Sequence, residues 1–346
     1  MPRPLPAPRV PGSYKVTPED FVVVEQELYP PAGTGEHLWL RVRKRGIATM
    51  EAVARLADAL RRPEREFGYA GLKDAFAITE QWISIGGVPD TAVASLQIDG
   101  LEVIEVTRHG NKLKLGHLRG NHFDIVLRGI DAAHVEALRV NLDTLARDGC
   151  PNYFGEQRFG KRGANLDKGM RILRGNPRHA ARAIPKRLLR LLISAVQSEV
   201  FNRVLVQRLD RIAVLLPGDV AILHRNGAAF AVEDVAAEQP RCAAFEISPS
   251  GPLPGPKCLV AAGEPGAMEA AALAELDLDP ALFGNVPHGT NDGERRSLRV
   301  RVSEPELSAE SDGVRLRFAL PKGSYATAVL RELLVEPPWF EMAHTD

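Results

Sequence analysis

Residues 68–81 read GYAGLKDAFAITEQ. Two glycines precede a lone Asp74, and an apolar, β-branched run opens at Ile78. Strand-like stretches flank the segment, Phe67–Ala70 before it and Ile78–Ile85 after it, so Asp74 is expected in a loop between two strands. Working outward, DFVVVEQ (20–26) and HLWLRVR (37–43) are β-rich and partly alternating. Met50, Val53, Ala57 and Leu60 recur at helical spacing until Pro63 ends that helix. Leu101–Thr107 and His122–Leu127 read as strands. Val135, Leu138, Leu142 and Leu145 mark a helix that stops at Gly149. A long helix is expected from about Lys186 to Asp210, with Leu189, Ile193, Val196, Val200 and Val204 inward. Residues 211–297 are punctuated by Pro and Gly, and PSGPLPGP (249–256) reads as a loop. Strands return at 298–303 and 314–319, and a last helix is expected to start near Ser324 as its N-cap. Strands and helices mix without a regular βαβ alternation, which indicates an α+β fold with a mixed, largely antiparallel sheet.

A chain of 346 residues suggests two or three domain-sized units. With 45% hydrophobic and 25% charged residues it has the composition of a globular protein, not of a disordered chain. No run approaches 18 uninterrupted apolar residues, and the proline-broken start has no apolar core of a secretory signal, so a cytoplasmic protein without membrane contact is expected. Cys150, Cys242 and Cys258 lie far apart, with no CxxC spacing, which leaves no readable zinc site and fits a reducing compartment. Glycine-rich dinucleotide, P-loop, HExxH and GxSxG motifs are all missing from the sequence.

Lys plus Arg equals Asp plus Glu at 44 each, yet the charges are segregated. Between Arg158 and Arg190 eleven basic residues meet the single Asp167, a net of +10. Residues 108–119 and 41–45 are also basic, whereas 231–313 carry a net of −9. Such segregation is the footprint of a protein that grips phosphate on one face.

Four segments carry candidate chemistry. Asp74 can serve as nucleophile, general base or turn-former, and by generic chemistry the turn use leads. PNYFGEQRFG (151–160) interleaves aromatics with Asn, Gln and Arg and suits base stacking or a packed turn. Asn121 in GNHF (120–123) and Tyr325 in GSYAT (323–327) stand at the starts of regular elements.

Taken together and in order, six segments resemble the TruD family of tRNA pseudouridine synthases. They are KVTPEDF (15–21), residues 68–81, KLKLG (112–116), GNHF, PNYFGEQRFG, and LPKGSYAT (320–327). They span almost the whole chain; only 211–297 holds no matching motif. The resemblance implies a pseudouridine-synthase-type catalytic domain from residues 1–150 and 299–346, with an inserted α+β TRUD domain at 151–298. A cleft would lie between the two, lined by the basic part, with the acidic part facing away.

The implied reaction turns uridine into pseudouridine, at uridine 13 in the D arm of tRNA, with neither metal nor cofactor. Asp74 matches the family's catalytic Asp. In a closed, partly dry pocket its charge would need a nearby cation, and Lys15 matches a family lysine near the active site. Lys73 is expected to reach RNA or Glu80 instead. Phe21, Asn121 and Tyr325 match substrate-pocket residues; the family commonly has Phe at the last position. Arg158, Lys161 and Arg162 would contact phosphate or shape the cleft. Glu80 and Gln81 would support the pocket, and Glu156 and Gln157 would tie the lobes together. A monomer is expected. The competing reading from another class is a non-catalytic RNA-binding or RNA-folding protein, which would tolerate Asp74→Asn. A nucleoside glycosidase would need a second catalytic carboxylate, nominally Glu80.

Overall fold

The computed structural model describes residues 3–93, 96–155, 158–287 and 291–335. The first part of the chain gives β1 (Phe21–Glu27), β2 (His37–Arg45), α1 (Thr49–Leu60), β3 (Gly68–Tyr69), β4 (Ile78–Gly86), β5 (Leu101–His109), β6 (Leu118–Arg128), α2 (Ala132–Asp148) and β7 (Cys150–Pro151). The middle adds α3 (Ala164–Arg174), α4 (Pro177–Ala183), α5 (Lys186–Gln207), β8 (Val220–Leu223), β9 (Ala229–Ala231), α6 (Val235–Ala243), β10 (Ile247–Leu253), α7 (Gly263–Ala274) and β11 (Glu294–Ser297). The chain then returns through β12 (Arg299–Val300), β13 (Ser303–Glu310), β14 (Gly313–Pro321) and α8 (Ala326–Leu333).

The larger sheet runs β13-β14-β6-β1-β4-β2-β5, with β3 beside β4. β1 and β4 pair in parallel and the other neighbours are antiparallel, so the sheet is mixed and largely antiparallel as the sequence indicates. One of its faces is covered twice. Phe21, Phe123, Ile125, Leu316 and Phe318 pack with residues of α2 and α8, and Leu40, Val42, Ile83 and Ile85 pack with residues of α1. β13 and β14 come from beyond residue 300, so this sheet needs both ends of the chain.

The middle segment builds its own sheet, β11-β10-β8-β9, and its own core around α5. Leu189, Ile193, Val196, Val200 and Val204 are all buried there, on the face the helical spacing marks out. β7 and β12 pair where the chain leaves the first sheet and comes back to it. Gly149 makes that exit possible. It sits at φ +93°, where a side chain is strained, and a Cβ would press on Arg299 at 3.0 Å.

Three local readings need correction. PSGPLPGP is not all loop, because residues 247–253 form β10, a buried central strand. It pairs with β8 through Ile247–Pro249 and with β11 through Ser250–Leu253, so no stretch of it needs an unbroken ladder on both sides, and the prolines fit. Residues 67–70 give only the two-residue β3. Ser324 is not the cap of the last helix: Tyr325 occupies that position without a side-chain cap, and the Ser324 N–H bonds to the Pro321 carbonyl in a turn.

Candidate active site

Strand alternation builds a polar stripe between the two apolar clusters. Lys44 pairs with Thr79 across β2 and β4, Thr79 with Val23, and Glu25 with Asn121 across β1 and β6. Side chains two apart share a face, so Lys44, Thr79, Gln81, Glu25 and Asn121 lie on the face that also carries Phe21 and Phe123. The loop at residues 70–77 lies against this stripe. On the opposite face Gly68 admits the 112–113 segment, since a Cβ there would collide with the Leu113 carbonyl and with Ser84 Oγ.

Buried polar contacts fix the loop residue by residue. Gln81 Nε2 donates to the Gly71 carbonyl (3.2 Å), and Thr49 Oγ1 donates to Gln81 Oε1 (2.8 Å) while accepting from the Lys73 N–H (2.8 Å). Lys73 Nζ reaches Glu25 Oε2 at 2.6 Å, with both side chains almost wholly buried. Burial pushes the Glu25 carboxyl up, and the Lys73 charge opposes that. Lys44, fully buried, donates to the carbonyls of Ile47 (2.6 Å) and Asp74 (2.9 Å). Loss of water pulls its ammonium down to about 8, against the stabilising charge of Asp74.

The Asp74 carboxylate therefore projects from an anchored backbone. Lys15 Nζ donates to its Oδ2 at 2.8 Å. Lys15 itself adopts φ +57°, an unusual conformation for a residue with a side chain, and its ammonium lies 4.2 Å from the centre of the Phe21 ring. The carboxylate side chain is 62% exposed, so it stands open and not in the closed, dry pocket the sequence suggests.

The other expected residues divide. Phe21 is 3% exposed, with Tyr14 and Phe123 as ring neighbours, so it cannot sandwich a base in this conformation; it supports Lys15 from below. Asn121 lies half-buried on the stripe, and its Oδ1 is a buried acceptor with no hydrogen-bond partner among the described residues. Tyr325 is 54% exposed at the start of α8. Arg158 donates to Ser194 Oγ (3.3 Å) and lies over the Phe154 ring, while Lys161 and Arg162 are exposed in the turn after it. None of these three bonds to Asp74 among the described residues. Glu156 and Gln157 lie outside the described residues.

Two supporting roles change. Lys73 pairs with Glu25 and not with Glu80 or open solvent. Glu80 faces the opposite side of the sheet, where Arg41 and Arg43 bind it, so of the two only Gln81 supports the loop. Lys44 and Glu25 escaped the motif reading, although alternation points to both: Leu38, Leu40, Val42 and Lys44 share one parity, as do Phe21, Val23 and Glu25.

On the middle segment, Lys161, Arg162, Lys168, Arg178, Lys186 and Arg187 are exposed and form no ion pair among the described residues. Several of the acids counted against them are already spent, Glu264 on Arg211, Glu275 on Arg203 and Asp292 on Lys257. Among the described residues no helix is long and apolar enough to cross a membrane.

Comparison with known proteins agrees over nearly the full length. The family model for TruD, tRNA pseudouridine synthase D, matches residues 6–184 and 174–333. A tRNA pseudouridine synthase D of Geobacter metallireducens is 40% identical over 383 aligned positions, covering 93% of this chain and 95% of the relative. One from an Anaeromyxobacter species (strain Fw109-5) is 44% identical over 327, covering 93% and 92%. The crystal structure of a Methanosarcina mazei protein assigned to tRNA pseudouridine synthase D superposes with a TM-score of 0.82 at 25% identity, covering 95% of each chain.

Proposed function

The chain belongs to the TruD family of tRNA pseudouridine synthases, and from that premise we propose that Asp74 is its catalytic carboxylate and uridine 13 of the tRNA D arm its target. The enzyme is an isomerase that makes pseudouridine in tRNA. The reaction breaks the bond from ribose C1′ to uracil N1, turns the base, and joins C1′ to C5. N1 gains a proton and C5 loses one, so nothing is added overall.

One observation carries the assignment: Asp74 is the carboxylate at the exposed tip of a loop whose backbone is tied to buried Lys44, Thr49 and Gln81. The Lys15 ammonium, 2.8 Å from Oδ2, orients the carboxylate by a charge-assisted hydrogen bond, as attack on the sugar or proton removal there requires. A fixed backbone with an exposed, Lys15-bonded carboxylate holds the reacting oxygen in place before substrate arrives. Lys15 acts on Asp74 by charge, and Phe21 holds Lys15. Asn121, able to donate and to accept, is suited to a uracil edge. Tyr325 offers a ring to the flipped base, whose removal from the stack costs a few kcal/mol that stacking of about 1–3 kcal/mol per base offsets in large part.

On the same reading, residues 1–150 and 299–346 form the catalytic domain and 151–298 an inserted domain. Arg158, Lys161 and Arg162 grip the tRNA backbone, and the enzyme works as a cytoplasmic monomer. Two cores on either side of the β7–β12 crossing support that division.

The test is pseudouridine mapping in tRNA treated with wild type or with Asp74→Asn. Product at uridine 13 with wild type alone, at nearly equal tRNA affinity, is expected. Full activity of the variant would remove Asp74 from the chemistry, and product at another position would refute the target.

A further inference from the structure

Two guanidiniums converge on one aromatic ring where the chain crosses between its two sheets. Arg296 Cζ lies 4.1 Å from the centre of the Phe154 ring and Arg158 Cζ lies 4.9 Å from it. The ring is 8% exposed and its backbone is clamped on both sides by Asn202, which accepts from the Phe154 N–H (3.0 Å) and donates to its carbonyl (3.1 Å). Arg296 spends Nε on the Asn152 carbonyl (3.3 Å) and Nη2 on Asn152 Oδ1 (2.5 Å). Nη1 of Arg296, and Nε and Nη2 of Arg158, have no partner among the described residues.

Among the described residues no carboxylate completes this arrangement. Neither arginine forms an ion pair among the described residues, and Glu294 bears on Arg296 only through its field. Burial, together with the Arg158 charge, draws Arg296 down to about 10, an unusual depression for a guanidinium. Like charges held together in a desolvated place are costly unless a counter-ion completes the site. The forked donors match the oxygens of a phosphate. Position narrows the source: Arg296 is within electrostatic reach of the Tyr325 phenol, and Arg331 of α8 stacks at 5.3 Å on Tyr153 next to Phe154.

We propose that Arg296 and Arg158, layered on Phe154, form a binding site for one phosphodiester of the substrate RNA close to the target nucleotide. The proposal rests on the synthase reading above and adds a residue, Arg296, from the stretch whose net charge is acidic. It makes the crossing between the two sheets a contact point for RNA. Phe154 serves as the platform that holds both guanidiniums in plane.

The experiment is a cycle between protein and RNA. Full-length tRNA is assembled by ligation with a single uncharged methylphosphonate at each linkage around the target in turn. Binding and single-turnover pseudouridine formation are measured with wild type, Arg296→Gln and Arg296→Lys. With wild type, one linkage is expected to lose on the order of tenfold to a hundredfold in affinity when neutralised. With Arg296→Gln that same neutralisation should cost little further, and the slope of log affinity against log salt should flatten by about one. Arg296→Lys should fall between, keeping the charge without the fork. If Arg296→Gln fails to fold by its thermal melt, Arg158→Gln runs the same cycle on the second guanidinium. Losses that remain equal in wild type and variant at every linkage would overturn the proposal. Absence of pseudouridine with wild type would overturn the synthase reading instead, and the binding cycle would still decide the phosphate site.

Discussion

Replacing Lys73 by Met removes the cation from a pair that water cannot reach. The Lys73 and Glu25 side chains are 5% and 1% exposed, and their charged atoms are 2.6 Å apart. The remaining hydrogen bond to Glu25, from the Trp82 N–H, is long at 3.4 Å. Breaking a buried pair by deleting one partner costs about 3–5 kcal/mol, because the other charge stays behind. An exposed pair such as Arg45–Glu19, at 61% and 50%, is screened by water and contributes far less. The sign with pH follows from Glu25. Its carboxyl is already raised by burial, and losing Lys73 raises it further. A carboxyl raised in the folded state takes a proton there before it does in the unfolded chain, so stability falls as pH rises above the unfolded value. The loss caused by Lys73→Met should therefore be small near pH 5 and grow toward pH 8, by no more than about 1.4 kcal/mol per pH unit. Urea denaturation at pH 5, 6.5 and 8 measures it, with unchanged slopes certifying the same transition. The double variant Lys73→Met, Glu25→Leu should recover stability to within about 1 kcal/mol of wild type. A loss under about 1 kcal/mol that ignores pH would refute the reasoning, since it would mean that water reaches Glu25. Pseudouridine formation by the double variant then tells whether the pair also sets the position of Asp74: restored stability with reduced turnover assigns it that second role.

Lys44→Met addresses the second buried lysine. Because the folded ammonium is depressed to about 8, the unfolded chain holds a proton that the folded chain has lost, and wild-type stability gains on the variant as pH rises above 8, by about 2 kcal/mol at pH 9.5; chemical denaturation at pH 7 and 9.5 should show that convergence, and a constant difference would show Lys44 to be hydrated. Neutralising Arg158, Lys161 and Arg162 together should weaken tRNA binding and flatten its salt dependence by about two to three in slope, read by filter binding between 50 and 200 mM salt; an unchanged slope would place the RNA on another face.

Much of the framework can be read in the sequence because it follows from periodicity. The helix of Leu189 to Val204 presents its buried face as the spacing requires, and the strand after Asp74 forms where its β-branched run begins. What escapes has a physical pattern too. β10 contains two prolines and no alternation, because it is buried on both faces and exchanges partners midway, so nothing in its sequence distinguishes it from a loop. Lys73 looks like a surface lysine until the distant Glu25 is brought beneath it by the parallel pairing of β1 with β4. Phe21 carries a motif position but opens a strand whose parity turns it inward. Arg296 is hidden by averaging: its region is acidic, whereas its own surroundings hold Arg158 and an aromatic ring.

The three lysines around Asp74 divide one task. Lys44 and Lys73 are buried and act on the backbone and on Glu25, so they determine where the loop lies. Lys15 alone reaches the carboxylate, from a strained backbone and over an aromatic ring. The exposure of Asp74 then becomes intelligible. Leu72 and Phe76, two residues to either side, are 64% and 50% exposed. Large apolar side chains left in water beside a carboxylate gain from any surface that covers them, at roughly 25 cal/mol per Å² of apolar area. A flipped nucleotide is such a surface. Once it shuts water out, the Lys15–Asp74 attraction strengthens because the local dielectric falls. On the proposed assignment, the ion pair thus holds the carboxylate oxygen in position while the substrate covers it. If Asp74 is the catalytic carboxylate proposed above, the RNA closes the site itself, and removal of Lys15 should be felt far more in the bound state than in the free enzyme.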